Sequence, residues 1–500
     1  MVRITDPRTL LLVLLAAGCT ASAPVDDGVT KPEDTAIPDT GSTDSGGDDT
    51  STPIDTGTPT VPPDPDWTLI NDIRLVGRQP NDRLGYAFTL GDADGDGDDE
   101  IVVGALWQPY YPYYKSPPPP EVDSGTKNAA TFLLDGVPTS GVVDAAALHG
   151  WTQREDWGFG QAVVGDVTGD GIVDLAISGQ GTLGEEGYDG VLWVFSPPYG
   201  GLSDEEDALA WVGIPEPGGP RPEELLPCGD INGDGAVDLC TLAENELRAY
   251  FGPLSGEVPA DAAGLSLAAE LATHGHATHG VMVDFDGTGS PAVVVAYSTS
   301  FSSRGTIYRA DPPLEGVVDL ESTAVTWEGD GGHAGIGLAA GGDLDGDGHE
   351  DLFVGAPLHD DRNGRAYVLL DGGGGRVAEA PIQFEPRHPG DFIGYDAAIA
   401  DFDADGHDDL ALSAPRDLYF AYDRPGRVLV FPGPLVPGTY GDDEATLKWI
   451  ASEVPDFFGF RVEAGDIDGD GRADLLASSP YDTVVEYQEG SLTILLGGGL

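Results

Sequence analysis

Asp343-Leu-Asp345-Gly-Asp347-Gly-His349-Glu-Asp351 runs straight into Leu352-Phe-Val-Gly-Ala-Pro357, and the reading of this stretch decides the fold. Acidic side chains stand at loop positions 1, 3, 5 and 9, and glycines at 4 and 6. A hard cation such as Ca²⁺ needs several oxygens converging from a tightly bent backbone. Glycine supplies the positive-φ bends that other residues resist. The apolar run that follows has the length and composition of a buried strand.

The loop recurs with first positions at Asp92, Asp166, Asp230, Asp284, Asp343, Asp401 and Asp466, a loose period of about 60 residues. Each copy has the same order. A short strand carries an aromatic- or aliphatic-Gly pair: Leu84-Gly85, Phe159-Gly160, Ile336-Gly337, Ile393-Gly394 or Phe458-Gly459. The acidic loop and a hydrophobic strand follow, then a variable loop, a third strand and a weaker fourth. Four antiparallel strands repeated seven times predict an all-β chain folded as a seven-bladed β-propeller. The last copy stops after its third strand, and a spare strand, Trp67 to Val76, precedes the first. Pairing the two would close the ring and remove exposed edges. An EF-hand is excluded, because position 12 is Val103, Ile177, Thr241, Val354, Leu412 or Ala477 rather than a bidentate Glu.

Together the Phe-Gly pair, the cation loop and Gly-Ala-Pro resemble the FG-GAP repeats of the integrin α-subunit head, over about Trp67 to Leu500. The resemblance implies calcium at one rim and ligand approach from the opposite one. It stops short of the integrin ligand-contacting metal, which lies outside the propeller. The 64-residue step between loops two and three leaves no room for an inserted adhesion domain.

The expected ligand sets follow from position. Loops one, five, six and seven offer Asp92/Asp94/Asp96/Glu100, Asp343/Asp345/Asp347/Asp351, Asp401/Asp403/Asp405/Asp409 and Asp466/Asp468/Asp470/Asp474. Loop two offers Asp166, Thr168, Asp170 and Asp174, and loop three Asp230, Asn232, Asp234 and Asp238. Position 7 should donate a backbone carbonyl: Asp98, Ile172, Ala236, His349, His407 and Arg472. Loop four keeps Asp284 and Asp286 but has Thr288 and Ala292 at positions 5 and 9, so it is expected to keep the turn and lose the ion. About six Ca²⁺ sites are therefore expected.

The chain has 23 Lys+Arg against 87 Asp+Glu, a formal net charge of −64. Such a polyanion repels nucleic acid and anionic lipid. Residues 1–19 have two arginines before Leu10–Leu15 and small residues before Cys19, the layout of a lipoprotein signal with Cys19 as lipidation site. Residues 20–66 are Thr, Ser, Asp, Gly and Pro with almost no large apolar side chain, and read as a disordered acidic tether. Residues 67–500 would form the propeller. This organisation points to an outer-membrane or cell-surface lipoprotein of a Gram-negative bacterium, monomeric and touching the membrane only through its anchor. The other two cysteines, Cys228 and Cys240, flank loop three. A cross-hairpin disulfide would suit an oxidising compartment, and two buried thiols are the alternative.

In an antiparallel meander the cation loops share one rim and the second-to-third-strand loops the other. Those loops carry the aromatics: Trp107, Tyr110, Tyr111, Tyr113 and Tyr114; Tyr419, Phe420 and Tyr422; Tyr297 and Phe301; Tyr481 and Tyr487. Tyr and Trp give large contact area with a polar tip, so this rim is the expected face for a protein or glycan ligand. Rings packing the loops is the simpler alternative. His274-Gly-His276-Ala-Thr-His279 lacks a fourth zinc ligand and reads as a strand. No nucleophile elbow, phosphate loop or zinc-hydrolase signature is present. A binding module therefore leads, ahead of a propeller-based polysaccharide hydrolase or lyase and a passive structural lipoprotein.

Overall fold

The computed structural model describes residues 73–78, 82–105, 130–138, 140–142, 149–152, 157–183, 186–214, 222–243, 246–269, 276–298, 304–323, 325–415, 426–450, 457–482 and 489–497. These residues form seven sheets arranged as the blades of a β-propeller. Blade five shows the plan. Gly337–Ala339, Leu352–Gly355, Ala366–Leu369 and Ile382–Phe384 run antiparallel in that order from the axis outward. The acidic loop 343–351 joins the first two strands, as the sequence order requires.

The second strand is apolar on both faces because it is covered on both faces. Phe353 packs with Leu410 and Leu412 of blade six, while Leu352 and Val354 pack with Val294 and Ala296 of blade four. Successive strand residues point to opposite sides, so one run of side chains fills two inter-blade layers. The core is therefore a ring of such layers between neighbouring blades. The seventh blade draws on both ends of the described chain: Ile73–Val76 lies antiparallel to Ser491–Leu495, with Ile73 opposite Ile494.

The sequence pattern gives four strands per blade, and among the described residues six of the seven sheets hold a fifth. The connection between third and fourth strands places a short segment parallel to the outer strand of the preceding blade. Gly438–Tyr440, from blade six, lies on Ile382–Phe384 of blade five. Segments of two to four residues carry too little periodicity to be read from sequence.

Cys228 and Cys240 are joined by a disulfide with a Cα–Cα separation of 5.9 Å. They bracket loop three, and Cys240 faces Leu226 across the first two strands of its blade. Residues 1–72, including Cys19 and the tether, lie outside the described residues.

One buried ion pair ties the far end of blade six together. Arg427 donates from Nη2 to Asp391 Oδ2 at 2.7 Å and to Asp442 Oδ1 at 3.2 Å, and all three side chains are buried. Removing one partner of such a group leaves an uncompensated buried charge. Arg427→Met is expected to lower unfolding free energy by about 3–5 kcal/mol, read as a shift in the urea midpoint.

Candidate metal centre

Each acidic loop is held by its own carboxylates before any ion is considered. In loop five Asp343 Oδ1 accepts the backbone N–H groups of Gly346 (2.7 Å) and Asp347 (3.0 Å), and Oδ2 accepts that of Gly348 (2.8 Å). Loop three repeats this at Asp230, with Gly233, Asp234 and Gly235 as donors. Gly346 and Gly348 have φ of 80° and 92°, the left-handed conformations the sequence reading required. Position 5 then accepts the N–H of position 7: Asp347 from His349, Asp405 from His407, Asp470 from Arg472, Asp170 from Ile172, Asp234 from Ala236, and Asp96 from Asp98.

The position 9 acid opens the next strand and reaches back under the loop. Asp351 Oδ2 accepts from Leu344 (2.8 Å) and Asp345 (3.2 Å), and Glu100 Oε2 from Ala93 (2.7 Å) and Asp94 (3.2 Å). Both residues are fully buried, and their other oxygens, Asp351 Oδ1 and Glu100 Oε1, have no hydrogen-bond partner among the described residues. In loops three, six and seven that second oxygen accepts the N–H of Gly252 (3.0 Å), Gly433 (2.7 Å) or Gly497 (2.6 Å) after the third strand. In loop two Asp174 Oδ1 accepts the hydroxyl of Ser196.

The carboxylates converge. Asp92/Asp94/Asp96, Asp343/Asp345/Asp347, Asp401/Asp403/Asp409 and Asp466/Asp468/Asp474 each place one oxygen apiece within 4.8 Å of the others. Two oxygens bound to one Ca²⁺ at about 2.4 Å can be at most about 4.8 Å apart. The residues present therefore fit a hard divalent cation, and the unpartnered buried oxygens of Glu100 and Asp351 are what such a ligand set leaves open. Loops two and three have Thr168 and Asn232 where the others have a third acid, and Asn232 Nδ2 bonds Asp234. Loop four keeps the turn, with Asp284 accepting from Thr288 (3.0 Å) and Gly289 (2.6 Å), while its position 9 is the buried Ala292.

Two features escaped the sequence reading. Asp98 joins a second cluster with Asp96 and Asp135, and a hydrogen bond shared with Asp96 pushes the Asp98 carboxyl up to about 6. The position 8 acids staple neighbouring loops. Asp99 Oδ2 accepts the N–H of Asp466 (2.9 Å), Glu350 Oε2 that of Asp284 (2.8 Å), and Asp408 Oδ2 that of Asp343 (2.8 Å). Their only sequence signal is an acid at position 8 in loops one, five and six alone.

The first strands of all seven blades enclose a channel of about 400 Å³. Its charged side chains bridge blades: His279 Nδ1 to Glu224 Oε1 at 3.1 Å, Arg461 Nη1 to Asp396 Oδ2 at 3.8 Å, and Glu463 Oε2 to the Leu90 N–H at 3.0 Å. His279 thus serves a strand, as its sequence context indicated; His274 lies outside the described residues.

The aromatic rim needs correction at two positions. Tyr297 sits in the buried strand Ala292–Ser298, edge-on to Tyr308 at 5.7 Å, and is fully buried. Tyr481 is buried against Phe457 at 5.9 Å beneath the Arg83 guanidinium. Both sit where the loop is still part of the inter-blade packing, so they are core. Trp107, Tyr110, Tyr111, Tyr113, Tyr114, Phe301, Tyr419, Phe420, Tyr422 and Tyr487 lie outside the described residues.

The FG-GAP repeat model matches residues 334–369, 393–431 and 458–495. The chain is 33% identical to integrin alpha-5 of Xenopus laevis over 163 residues, 29% of this chain and 15% of the frog protein. It is 31% identical to integrin alpha-PS2 of Drosophila melanogaster over 194 residues, 37% of this chain and 13% of the fly protein. It is also 32% identical over 160 residues to phosphatidylinositol-glycan-specific phospholipase D of Mus musculus, 30% of this chain and 18% of the mouse protein. The chain thus spans under a fifth of each of these three relatives. It carries three FG-GAP repeats, is similar to integrin α subunits and folds as a seven-bladed propeller.

Burial pushes Glu100 and Asp351 up to about 7 and Asp409 up to about 6, against about 4 for exposed carboxyls. Between about pH 4 and 7 the folded chain without divalent cation therefore holds more protons than the unfolded chain, and its stability falls as pH rises through that window. Cation binding needs the ionised groups, so its stabilisation grows across the same window. Melting midpoints in chelator should be higher at about pH 5.5 than at about pH 7.5, with the order reversed or flattened in millimolar calcium. Parallel pH profiles in the two buffers would defeat this account. Position 4 of loop six is Ala404 at φ 60°, where the other six loops have glycine. Ala404→Gly is expected to stabilise the chain by about 1 kcal/mol in urea unfolding, because a Cβ is strained in that conformation.

Proposed function

We propose that this FG-GAP propeller is a calcium-stabilised binding or adhesion module, tethered to the cell surface through lipidated Cys19 and residues 20–66. The observation that carries the reading is the separation of its rims. Every acidic loop joins a first strand to a second, so the cation ligands gather on one side. The second-to-third-strand loops are left on the other side for recognition. Calcium would occupy loops one, two, three, five, six and seven, with loop four empty. Filled sites of ordinary extracellular affinity would each add about 1 kcal/mol near saturation.

The likeness to integrin α subunits supports a protein partner, and the aromatic loops suit a protein or a glycan. A hydrolase or lyase has less support, because the charged side chains quoted from the channel are engaged between blades. Among the described residues no helix is long and apolar enough to cross a membrane. The proposed location is the outer membrane or cell surface, with the lipid as the attachment.

Adhesion of beads coated with the chain to protein-coated and polysaccharide-coated surfaces tests the recognition face. The triple change Tyr110→Ser, Tyr111→Ser and Tyr113→Ser is expected to cut adhesion at least about tenfold while leaving the melting midpoint unchanged. Undiminished adhesion would place recognition elsewhere.

A further inference from the structure

Loop four differs from the other six in its acids, and a positive side chain stands beside it. Positions 5 and 9 are Thr288 and Ala292, so two of the four side-chain ligands of a full loop are absent, and the residues do not fit a hard divalent cation. Asp284 and Asp286 remain, two carboxylates on one bent turn. The turn is still made, with Asp284 Oδ1 accepting the N–H of Thr288 and Oδ2 that of Gly289. Carboxylates gathered in this way are stabilised in their ionised form by a nearby positive charge.

The third strand of the same blade, Thr306–Ala310, supplies that charge. Its Arg309 stands opposite Val294, the second residue after position 9. In the other blades the same register position holds Leu133, Val194, Ala249, Val368, Val430 and Ile494. Six blades thus have a small or aliphatic side chain where the blade with the depleted loop has an arginine. The guanidinium lies over the ring of Phe285, position 2 of loop four, with Cζ 5.0 Å from the ring centroid. Nη1 donates to the Gly372 carbonyl at 3.1 Å and Nε to Asp311 Oδ1 at 2.7 Å. The charge reaches the loop: the Thr288 side-chain bond lowers the Asp286 carboxyl most, and Arg309 adds to the effect.

A second difference makes room for it. Four residues after this register position, blades two, three, four and six have Pro198, Pro253, Pro313 and Pro434. Three of these prolines lie against the position 4 glycine of the preceding loop: Cβ atoms on Gly169, Gly233 and Gly346 would come within 2.8, 3.4 and 3.3 Å of Pro253, Pro313 and Pro434. Blade five, which follows loop four, has Gly372 there. A Cβ on Gly372 would collide with Arg309 Nη1. The arginine and the glycine that admits it therefore occur together, at the loop that has lost half its acids. We infer that Arg309 is the resident counter-charge of loop four, a guanidinium standing where the other blades would use a divalent cation. A charge carried on a side chain cannot dissociate, so loop four keeps its order when divalent cations are withdrawn. The contrast with the other loops rests on the calcium reading above; the role of Arg309 does not.

Amide exchange of the full chain in chelator, read at Thr288 and Gly289, tests the assignment. Arg309→Met keeps the length of the side chain and removes its charge, and should speed exchange there about tenfold, whereas Arg309→Lys should keep most of the protection. Gly372→Ala pushes the guanidinium off its seat. It should speed exchange in the native chain and add nothing in the Arg309→Met background. Unchanged exchange in Arg309→Met would overturn the inference, and so would equal acceleration by Met and Lys, which would show the arginine acting as packing alone. If neither Arg309 variant folds, Gly372→Ala decides by itself, and unaltered exchange would count against the assignment. Millimolar calcium added to the native chain should slow exchange at Asp347 and Gly348 of loop five and leave Thr288 and Gly289 as they were. Slowing at loop four would also overturn the inference, while slowing at no loop would refute the calcium reading and leave the result in chelator standing.

Discussion

The constraint on which the molecule depends is that backbone N–H groups force carboxylates together. Position 1 is pinned by the amides of positions 4 to 6, and position 9 by those of positions 2 and 3. Neither is free to swing away from its neighbours. The bends that make this possible are paid for by glycine, and the result is negative charge concentrated at the end of every blade that has a full set. A cation or a proton relieves that repulsion, and burial makes the proton a real competitor at Glu100, Asp351 and Asp409.

The same loops also carry force between blades. Where position 8 is acidic, its carboxylate caps the position 1 N–H of the preceding loop, so the order of one site bears on the next. At the loops where position 8 is Val173, Val237 or Ala473, no carboxylate is available for this. Val237 instead packs against Gly165, where a Cβ would come within 3.3 Å. The ring is therefore uneven. Polar staples join blades four to five, five to six and seven to one, and apolar contact serves between two and three.

Much of this was legible in the sequence. The acidic loop and the buried strand after it, seven times over, carry both the blade number and the places where loop carboxylates cluster, because each is a local pattern repeated. What was not legible is non-local or too short. Asp99, Glu350 and Asp408 matter only because a neighbouring blade brings a donor to them. Asp135 approaches loop one from the end of the third strand. Tyr297 and Tyr481 look like surface rings because loop composition surrounds them, yet both still lie within inter-blade packing. The fifth strands escape because they are two to four residues long and pair with a different blade.

The acidity of the chain exceeds what the loops explain. Six doubly charged ions would cancel only about 12 of 64 net charges. The few cations are partly spent inside: Arg427 is buried between Asp391 and Asp442, Arg461 bridges to Asp396 in the channel, and Arg74 pairs with the buried Asp482. Using positive charge as internal cement leaves the surface still more negative. A field of that sign raises the local concentration of cations around every loop, so a ligand set of modest intrinsic affinity would gain occupancy from charges that never touch an ion. Salt screens such a field over about 10 Å at 0.1 M, so the pull on cations at the rim depends on the whole surface as well as on each loop.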